Sequence, residues 1–192
     1  LFSSVVPEFD ERAFREALVN AFGHRDYSLL GRVRVLVDDA GLTIANPGGF
    51  VEGINVHNLL TAEPRGRNPC LMDALKRTGL AERTGRGIDR IFEGALNYGR
   101  PLPDYSRSNR RGVSVRLPRS VPDKAFVELL AEERERSGKS MSLDGLLILD
   151  KLKSERRCGF DVLSGSLDMS DQRLRTVLGQ LTEAGLVESA GV

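Results

Sequence analysis

The stretch REALVNAFGHRDY, residues 15–27, decides the fold because it combines an amphipathic helix with two neighbouring polar side chains and an abrupt end. Asp10 is a suitable N-cap for a helix that runs to about Phe22, and Gly23 then ends it. The spacing i, i+3, i+4 and i+7 predicts an apolar face for this helix. That face consists of Phe14, Ala17, Leu18 and Ala21.

Glu16 and Asn20 are four residues apart, so they lie beside each other on this helix, opposite the apolar face. One interpretation is a solvated polar pair, since any surface helix supplies such pairs. The other interpretation is a site for phosphoryl transfer. In such a site a carboxylate orients a water molecule and an amide oxygen is a ligand of Mg²⁺.

Two glycine-rich segments are candidate ligand contacts. Residues 32–38 and 42–46 predict an antiparallel hairpin that leads into NPGG, residues 46–49, where glycines let the backbone approach a flat ligand closely. The segment TGRG, residues 84–87, opens a predicted helix over 88–99, and the N–H groups at a helix start bind anions. Two ordinary turns are the alternative interpretation. The candidates are Asn46, Gly48, Gly49, Thr84, Gly85, Arg86 and Gly87.

The rest of the chain predicts a second, smaller module. A helix over 68–79 and a strand over 112–118 complete the first module, and the proline-containing segment after that strand indicates a linker. A connecting helix and three short helices follow, the last of which begins after Ser170. The sequence therefore predicts an α+β fold with three parts, 1–119, 120–140 and 141–192, and an all-helical or winged-helix C-terminal domain.

Composition excludes several classes of protein. The chain is 40% apolar and 29% charged with a formal net charge of +1, which is typical of a soluble globular protein and lacks the basic excess of a histone-like binder. Cys70 and Cys158 match no metal-ligand spacing and favour reduced thiols in a cytoplasmic protein. No apolar run approaches the roughly 20 residues that span a bilayer, so no membrane association is expected. The start at Leu1 rather than Met indicates a segment of a longer polypeptide.

Two short motifs do not carry the function that they suggest. HRD, residues 24–26, is found in the catalytic loop of protein kinases, but that loop needs an asparagine where this chain has Gly31. GKS, residues 138–140, matches the end of a phosphate-binding P-loop, but Glu133 stands where the first glycine is required. The sequence is therefore neither that of a protein kinase nor that of a helicase motor.

The order of the motifs resembles the GHKL ATPases, and more closely the domain family named after the RecG helicase C-terminus. The resemblance rests on REALVNAFGHRDY, the NPGG turn, RNP at 67–69 and ERTGRGIDRI at 82–91. It covers roughly residues 7–118, and it is specific because four motifs recur in one order. It implies a GHKL-like α/β sandwich, with helices packed on one mixed sheet, that binds ATP and Mg²⁺.

The resemblance also implies a role for each matching residue. Glu16 would orient the attacking water, Asn20 would be the Mg²⁺ ligand, residues 46–49 would contact the base, and Gly85 and Gly87 would contact the phosphates.

Two positions depart from the family pattern. Asn46 stands near the place of an adenine-reading aspartate, and Arg83 replaces a first glycine. These departures favour the alternative of a degenerate GHKL scaffold that serves dimerisation or protein interaction. Weak ATPase activity, carried by Glu16, stays open.

Members of this group often follow a Schlafen-type AlbA domain and precede a winged helix, which implies a homodimeric transcriptional regulator with a DNA-binding C-terminal domain. On the last predicted helix the candidate DNA contacts are Arg173, Arg175, Thr176 and Gln180. Charge argues for a protein-contact module instead, because residues 123–192 hold 10 Lys and Arg against 13 Asp and Glu, a net −3. The nucleotide-binding hypothesis requires that all the proposed nucleotide contacts surround one cavity.

Overall fold

A computed structural model describes residues 7–81 and 85–190. The chain divides into two compact units, Leu1–Asp123 and Lys124–Val192. Each unit has its own buried apolar core. Within the described ranges, no helix is both long and apolar enough to cross a membrane.

The described part of the first unit contains three helices, α1 (Glu11–Gly23), α2 (Pro69–Arg77) and α3 (Gly87–Leu96). The predicted N-cap of α1 is confirmed, because the carboxylate of Asp10 accepts a hydrogen bond from the backbone N–H of Ala13 at 2.8 Å. The predicted apolar face is only partly right. Phe14 and Leu18 are half-buried, and the fully buried positions of the helix are Ala13, Glu16, Ala17, Val19, Ala21 and Gly23.

Over residues 7–81 and 85–123, the sheet of the first unit has three strands, β1 (Arg34–Asp38), β2 (Gly41–Pro47) and β3 (Gly112–Pro118), in the order β1-β2-β3. Both strand pairs are antiparallel. The expectation of a mixed sheet is therefore wrong for the described strands. The sequence signal was an antiparallel hairpin, and the carboxylate of Asp38 holds its turn by accepting the N–H groups of Ala40 and Gly41.

The core of the first unit lies between the sheet and the pair α1 and α3. Ile44 of β2 and Ile91 and Leu96 of α3 are almost completely excluded from solvent. Phe92 of α3 stacks on Tyr105 with ring centroids 6.4 Å apart. Helices α1 and α3 are in direct contact, because a Cβ atom on Gly94 of α3 would lie 2.5 Å from the Cβ of Ala13 of α1. The candidate site depends on this arrangement of the two helices.

Up to residue 190, where its description ends, the second unit contains four helices, α4 (Lys124–Ser137), α5 (Leu143–Glu155), α6 (Phe160–Leu167) and α7 (Asp171–Glu183). Ser170 caps α7 as expected, by accepting the N–H of Arg173. Asp168, in a left-handed conformation, allows the sharp turn between α6 and α7. The described part of this unit is helices and loops without a strand, which fits the all-helical alternative. The most deeply buried residues of its core are Leu146, Ile148, Leu163, Leu174 and Leu181.

Candidate functional site

A cavity of about 470 Å³ opens in the first unit, which is within the usual size range of small-molecule sites. Helix α1, strand β2, the loop between Gly49 and Gly66, and the start of α3 form its walls. The cavity brings together seven of the residues that the sequence singles out. These are Glu16, Asn20, Asn46, Gly49, Gly85, Arg86 and Gly87.

Glu16 is the most deeply buried charged residue of this cavity wall, with 6% of its surface exposed. The interpretation of Glu16 and Asn20 as a solvated pair is therefore wrong for Glu16. A Cβ atom placed on Gly87 would lie 2.8 Å from Glu16 Oε2 and 3.7 Å from Asn20 Nδ2. The start of α3 can approach the acid and the amide this closely only because residue 87 has no side chain.

The second glycine segment forms the adjoining wall, which meets Glu16 and Asn20 at Gly87. Gly85 has a φ of +78°, a left-handed conformation that favours glycine, and it faces the ring of Pro64. Arg86 precedes the first turn of α3 and reaches Asp89 and Glu93 at 3.3 and 3.5 Å. Helix α3 therefore begins at the cavity, where its first backbone N–H groups have no partner within the helix. Thr84, predicted as a phosphate contact, and Arg83 lie outside the described residues.

The NPGG turn supplies the third wall. Asn46 is 6% exposed, and its side-chain amide donates a hydrogen bond to the carbonyl oxygen of Pro47 at 3.1 Å. This bond fixes the amide nitrogen of Asn46, so the side-chain oxygen of the same residue is the atom that can accept a hydrogen bond. Gly48 is not among the residues that line the cavity. Its φ is +92°, and a Cβ there would lie 2.6 Å from Cβ of Asp26.

Arg67 holds this turn in place, a role that the sequence did not indicate. Its guanidinium donates to the carbonyl oxygen of Gly49 at 2.8 Å and forms an ion pair with Asp26 at 3.1 Å. The backbone N–H of Asp26 in turn donates to the carbonyl of Pro47 at 2.9 Å. The motifs HRD and RNP are thus parts of one structural clamp on NPGG. No single motif indicates this clamp. The sequence signal that could have found it is the joint presence of HRD, NPGG and RNP in the family pattern.

Asn68 performs a related function at the end of α1. Its side-chain amide donates to the carbonyl oxygens of Gly23 and Arg25, at 2.9 and 2.8 Å. The bond to Gly23 satisfies a carbonyl group that the helix end leaves without a partner, and the bond to Arg25 holds the segment that follows the helix. Asn68 therefore fixes where α1 stops, and so where its polar pair lies relative to the NPGG turn.

The cavity is lined by apolar side chains and by charged side chains. Phe50, Ile44, Tyr105 and Val115 supply apolar surface, and burial raises the pKa of Tyr105 well above its usual value, so its hydroxyl stays protonated. Among the described residues, three basic side chains also line the cavity. They are Arg65, Lys76 and Arg86.

His24 also lines the cavity, and its imidazole is not one of these cations. Burial, and secondarily the positive charge of Arg67, lower the pKa of His24 below 6.5. The imidazole is therefore neutral at pH 7.

No group of three or more His, Cys, Asp or Glu side chains suited to a metal ion occurs in the described ranges. A cation at this site would therefore depend on amide and carboxylate oxygens together with oxygens of its own ligand, which is the usual situation of Mg²⁺ at phosphate sites.

The predicted DNA contacts lie on α7, and three of them already have partners within the second unit. Arg173 makes a two-point ion pair with Asp144 of α5. The guanidinium of Arg175 lies 4.3 Å from the ring centroid of Phe160. Thr176 donates to the carbonyl oxygen of Gln172 within the helix. Gln180 is exposed on the same helix.

Comparison with known proteins supports the reading of the first unit. Residues 31–117 match the family described as "Putative ATP-dependent DNA helicase recG C-terminal". An ATPase-like domain family is indicated. The matched segment contains β1–β3, the NPGG turn and the glycine loop before α3, whereas α1 precedes it.

A similar structure covers nearly the whole chain. The crystal structure of the DIP2311 protein from Corynebacterium diphtheriae superposes with a TM-score of 0.77 at 26% sequence identity. The alignment covers 92% of this chain and 37% of that chain, so this chain spans little more than a third of its structural neighbour. Curated proteins gave no match.

Proposed function

We propose that the first unit binds a purine nucleoside triphosphate, ATP above all, together with Mg²⁺. The observation that carries this proposal is the convergence of Glu16, Asn20 and Gly87 on one wall of a cavity of about 470 Å³. The indicated ATPase-like domain family supports the same assignment. The donor set also suits the group, because amide and carboxylate oxygens are the ligands that Mg²⁺ takes beside phosphates.

The triphosphate would lie against Gly85–Gly87 at the start of α3. Backbone N–H groups and the positive end of the helix dipole stabilise anions there, and Arg86 adds a charged side chain. Asn20 would bind the magnesium ion. When bound, Mg²⁺ would neutralise charge on the phosphates and polarise the bond to be cleaved.

The base would lie on the opposite side, near β2. Phe50 and Tyr105 offer a flat apolar surface, and the side-chain oxygen of Asn46 can accept a hydrogen bond from an exocyclic amino group. Arg67 would act as a positioning residue, since it holds the carbonyl of Gly49 and therefore the turn that bounds this part of the cavity.

Hydrolysis, if it occurs, would use Glu16. Its carboxylate lies next to Gly87 and therefore close to the phosphate positions proposed above. A carboxylate there orients a water molecule for attack and accepts its proton. Binding requires fewer groups in register than hydrolysis does, so nucleotide binding is the proposed function and hydrolysis is secondary to it.

The second unit would contact DNA as a winged helix, and the whole would act as a homodimeric cytoplasmic transcriptional regulator. This proposal is supported by the length of the turn between α6 and α7, since its three residues, 168–170, are the number found in helix-turn-helix units. Gln180 and Thr176 are exposed on the second of these helices. Nucleotide would shift the population between arrangements with different DNA affinity. Unchanged DNA affinity and oligomeric state on adding Mg²⁺-nucleotide would exclude this coupling.

One observation favours a different role for the second unit. Arg173 is held by Asp144, Arg175 by Phe160, and residues 123–192 carry a net charge of −3, from 10 basic and 13 acidic side chains. An acidic surface with its arginines occupied is better suited to protein contact than to a phosphate backbone. In that case the chain would be a nucleotide-dependent interaction module rather than a DNA reader.

Isothermal titration of the chain with a non-hydrolysable ATP analogue tests nucleotide binding. We expect one site per chain whose affinity requires Mg²⁺ and falls at least about tenfold in Asn20→Ala, a loss of about 1.4 kcal/mol. The control is Asn97→Ala, because Asn97 is exposed at the end of α3 and outside the cavity. A folded wild-type chain that binds no analogue at millimolar concentration would instead establish the degenerate scaffold.

A further inference from the structure

Strand β1 is an exposed sheet edge with an unusual surface. It lies at one end of the order β1-β2-β3, and no described strand lies beyond it. Val35, Leu36 and Val37 are 48%, 56% and 57% exposed. Natural proteins normally protect such an edge with charges, prolines or bulges, because its free N–H and C=O groups pair readily with another strand.

The two faces of β1 expose apolar surface for different reasons. Val35 and Val37 pair with Ile44 and Leu42 of β2, which are fully buried, so these valines continue the core face of the sheet past the helices that cover it. Leu36 points to the opposite face, where its cross-strand neighbour is Thr43. A partner that extends the sheet would cover both faces at once.

The sequence of β1 is complementary to itself in reverse. RVLVD begins with Arg34, ends with Asp38, and has Leu36 at its centre between two valines. An antiparallel copy centred on Leu36 places each Arg34 opposite an Asp38 and each Val35 opposite a Val37. Cross-strand pairs of opposite charge and of β-branched residues both stabilise a sheet.

The backbone geometry permits this register. Asp38 and Gly41 close a two-residue turn, so Leu36 and Arg34 direct their backbone groups to β2, and Val35 and Val37 direct theirs outward. Asp38 has other contacts, two backbone N–H groups and Arg116 at 3.9 Å, but its side chain is 39% exposed. The carboxylate can therefore accept a further cation.

From these observations we propose that β1 pairs with β1 of a second copy of this chain around a two-fold axis at Leu36. The product is a continuous six-stranded antiparallel sheet. Such an interface is isologous, since the same patch of both copies meets itself. Its small size predicts a weak dimer, with a dissociation constant in the micromolar range.

Opposite charges at the proposed axis give the sharpest test. The wild-type chain should reach dimer mass by sedimentation at high concentration, whereas Leu36→Glu and Leu36→Lys should each weaken dimerisation at least about tenfold, because like charges then face each other. An equimolar mixture of the two variants should recover the dimer as a heterodimer. Val162→Glu is the matched control, since Val162 is 55% exposed and lies on α6.

A cysteine at the axis gives a second test that does not depend on charge. Leu36 of the two copies would form a non-hydrogen-bonded pair, with Cα atoms about 4.5 Å apart, a distance that a disulfide can span. Leu36→Cys, in a background with Cys70→Ser and Cys158→Ser, should cross-link to a dimer under mild oxidation. A monomeric wild type, variants that stay dimeric, a mixture that stays monomeric, or the absence of the cross-link would each overturn the proposal.

Discussion

Replacing Arg67 by methionine should loosen the NPGG turn and destabilise the first unit. The change removes the hydrogen bond to the carbonyl of Gly49 and the ion pair with Asp26. A hydrogen bond from a charged donor contributes about 1.5–3 kcal/mol, whereas an exposed ion pair contributes about 0–1 kcal/mol. Both side chains of the pair are about one quarter exposed, so we discount the charge contribution and expect a loss of about 2 kcal/mol.

Urea unfolding followed by circular dichroism measures this loss, and Arg15→Met is the matched control. Arg15 pairs with Glu11 one turn away on the exposed surface of α1, so its removal should change the free energy of unfolding by at most about 0.5 kcal/mol. Arg67→Lys should restore only part of the stability, since an ammonium group lacks the planar fork that reaches both acceptors. Equal losses for Arg67→Met and Arg15→Met would refute the clamp.

Three further predictions concern packing, protonation and chemistry. Gly94→Ala should destabilise the first unit by about 1–2 kcal/mol in the same unfolding assay, because the new Cβ would lie 2.5 Å from the Cβ of Ala13. The better helix propensity of alanine offsets only about 1 kcal/mol of this strain. Burial lowers the pKa of His24, so its contribution to stability should be complete above pH 6.5 and decline as the pH falls below that value. The variant His24→Asn should therefore flatten the pH dependence of the free energy of unfolding in this range. An unchanged slope would contradict this prediction. If the chain hydrolyses ATP, Glu16→Gln should lower turnover by roughly 10²–10⁴-fold and leave the affinity for the ATP analogue within about threefold of the wild-type value. Undiminished turnover in a phosphate-release assay would show that Glu16 does not orient the attacking water.

Sequence patterns predicted the local elements well, because their signals are themselves local. The alternation in GVSVRLP predicted a strand over 112–118, which is the observed extent of β3, and Asp10 and Ser170 cap α1 and α7 as expected. Capping depends on hydrogen bonds within one turn, and alternation depends on one buried face.

Long-range packing was beyond the same reasoning. Glu16 was placed opposite the apolar face, yet it is buried, because α3 begins directly against it at Gly87. Nothing in the spacing of α1 alone could reveal that contact. The clamp of Arg67 on Asp26 joins residues 41 positions apart, and it was hidden for the same reason. Prediction of the site therefore relied on the resemblance of whole motifs, which carries tertiary information that periodicity lacks.

A crystal structure of the chain with Mg²⁺ and a non-hydrolysable ATP analogue tests the central claim most directly. We predict that the triphosphate lies against Gly85–Gly87, with the metal ion at the side chain of Asn20 and the base between Asn46 and Phe50. An analogue bound at another surface, or a cavity that stays empty at saturating concentration, would contradict the account.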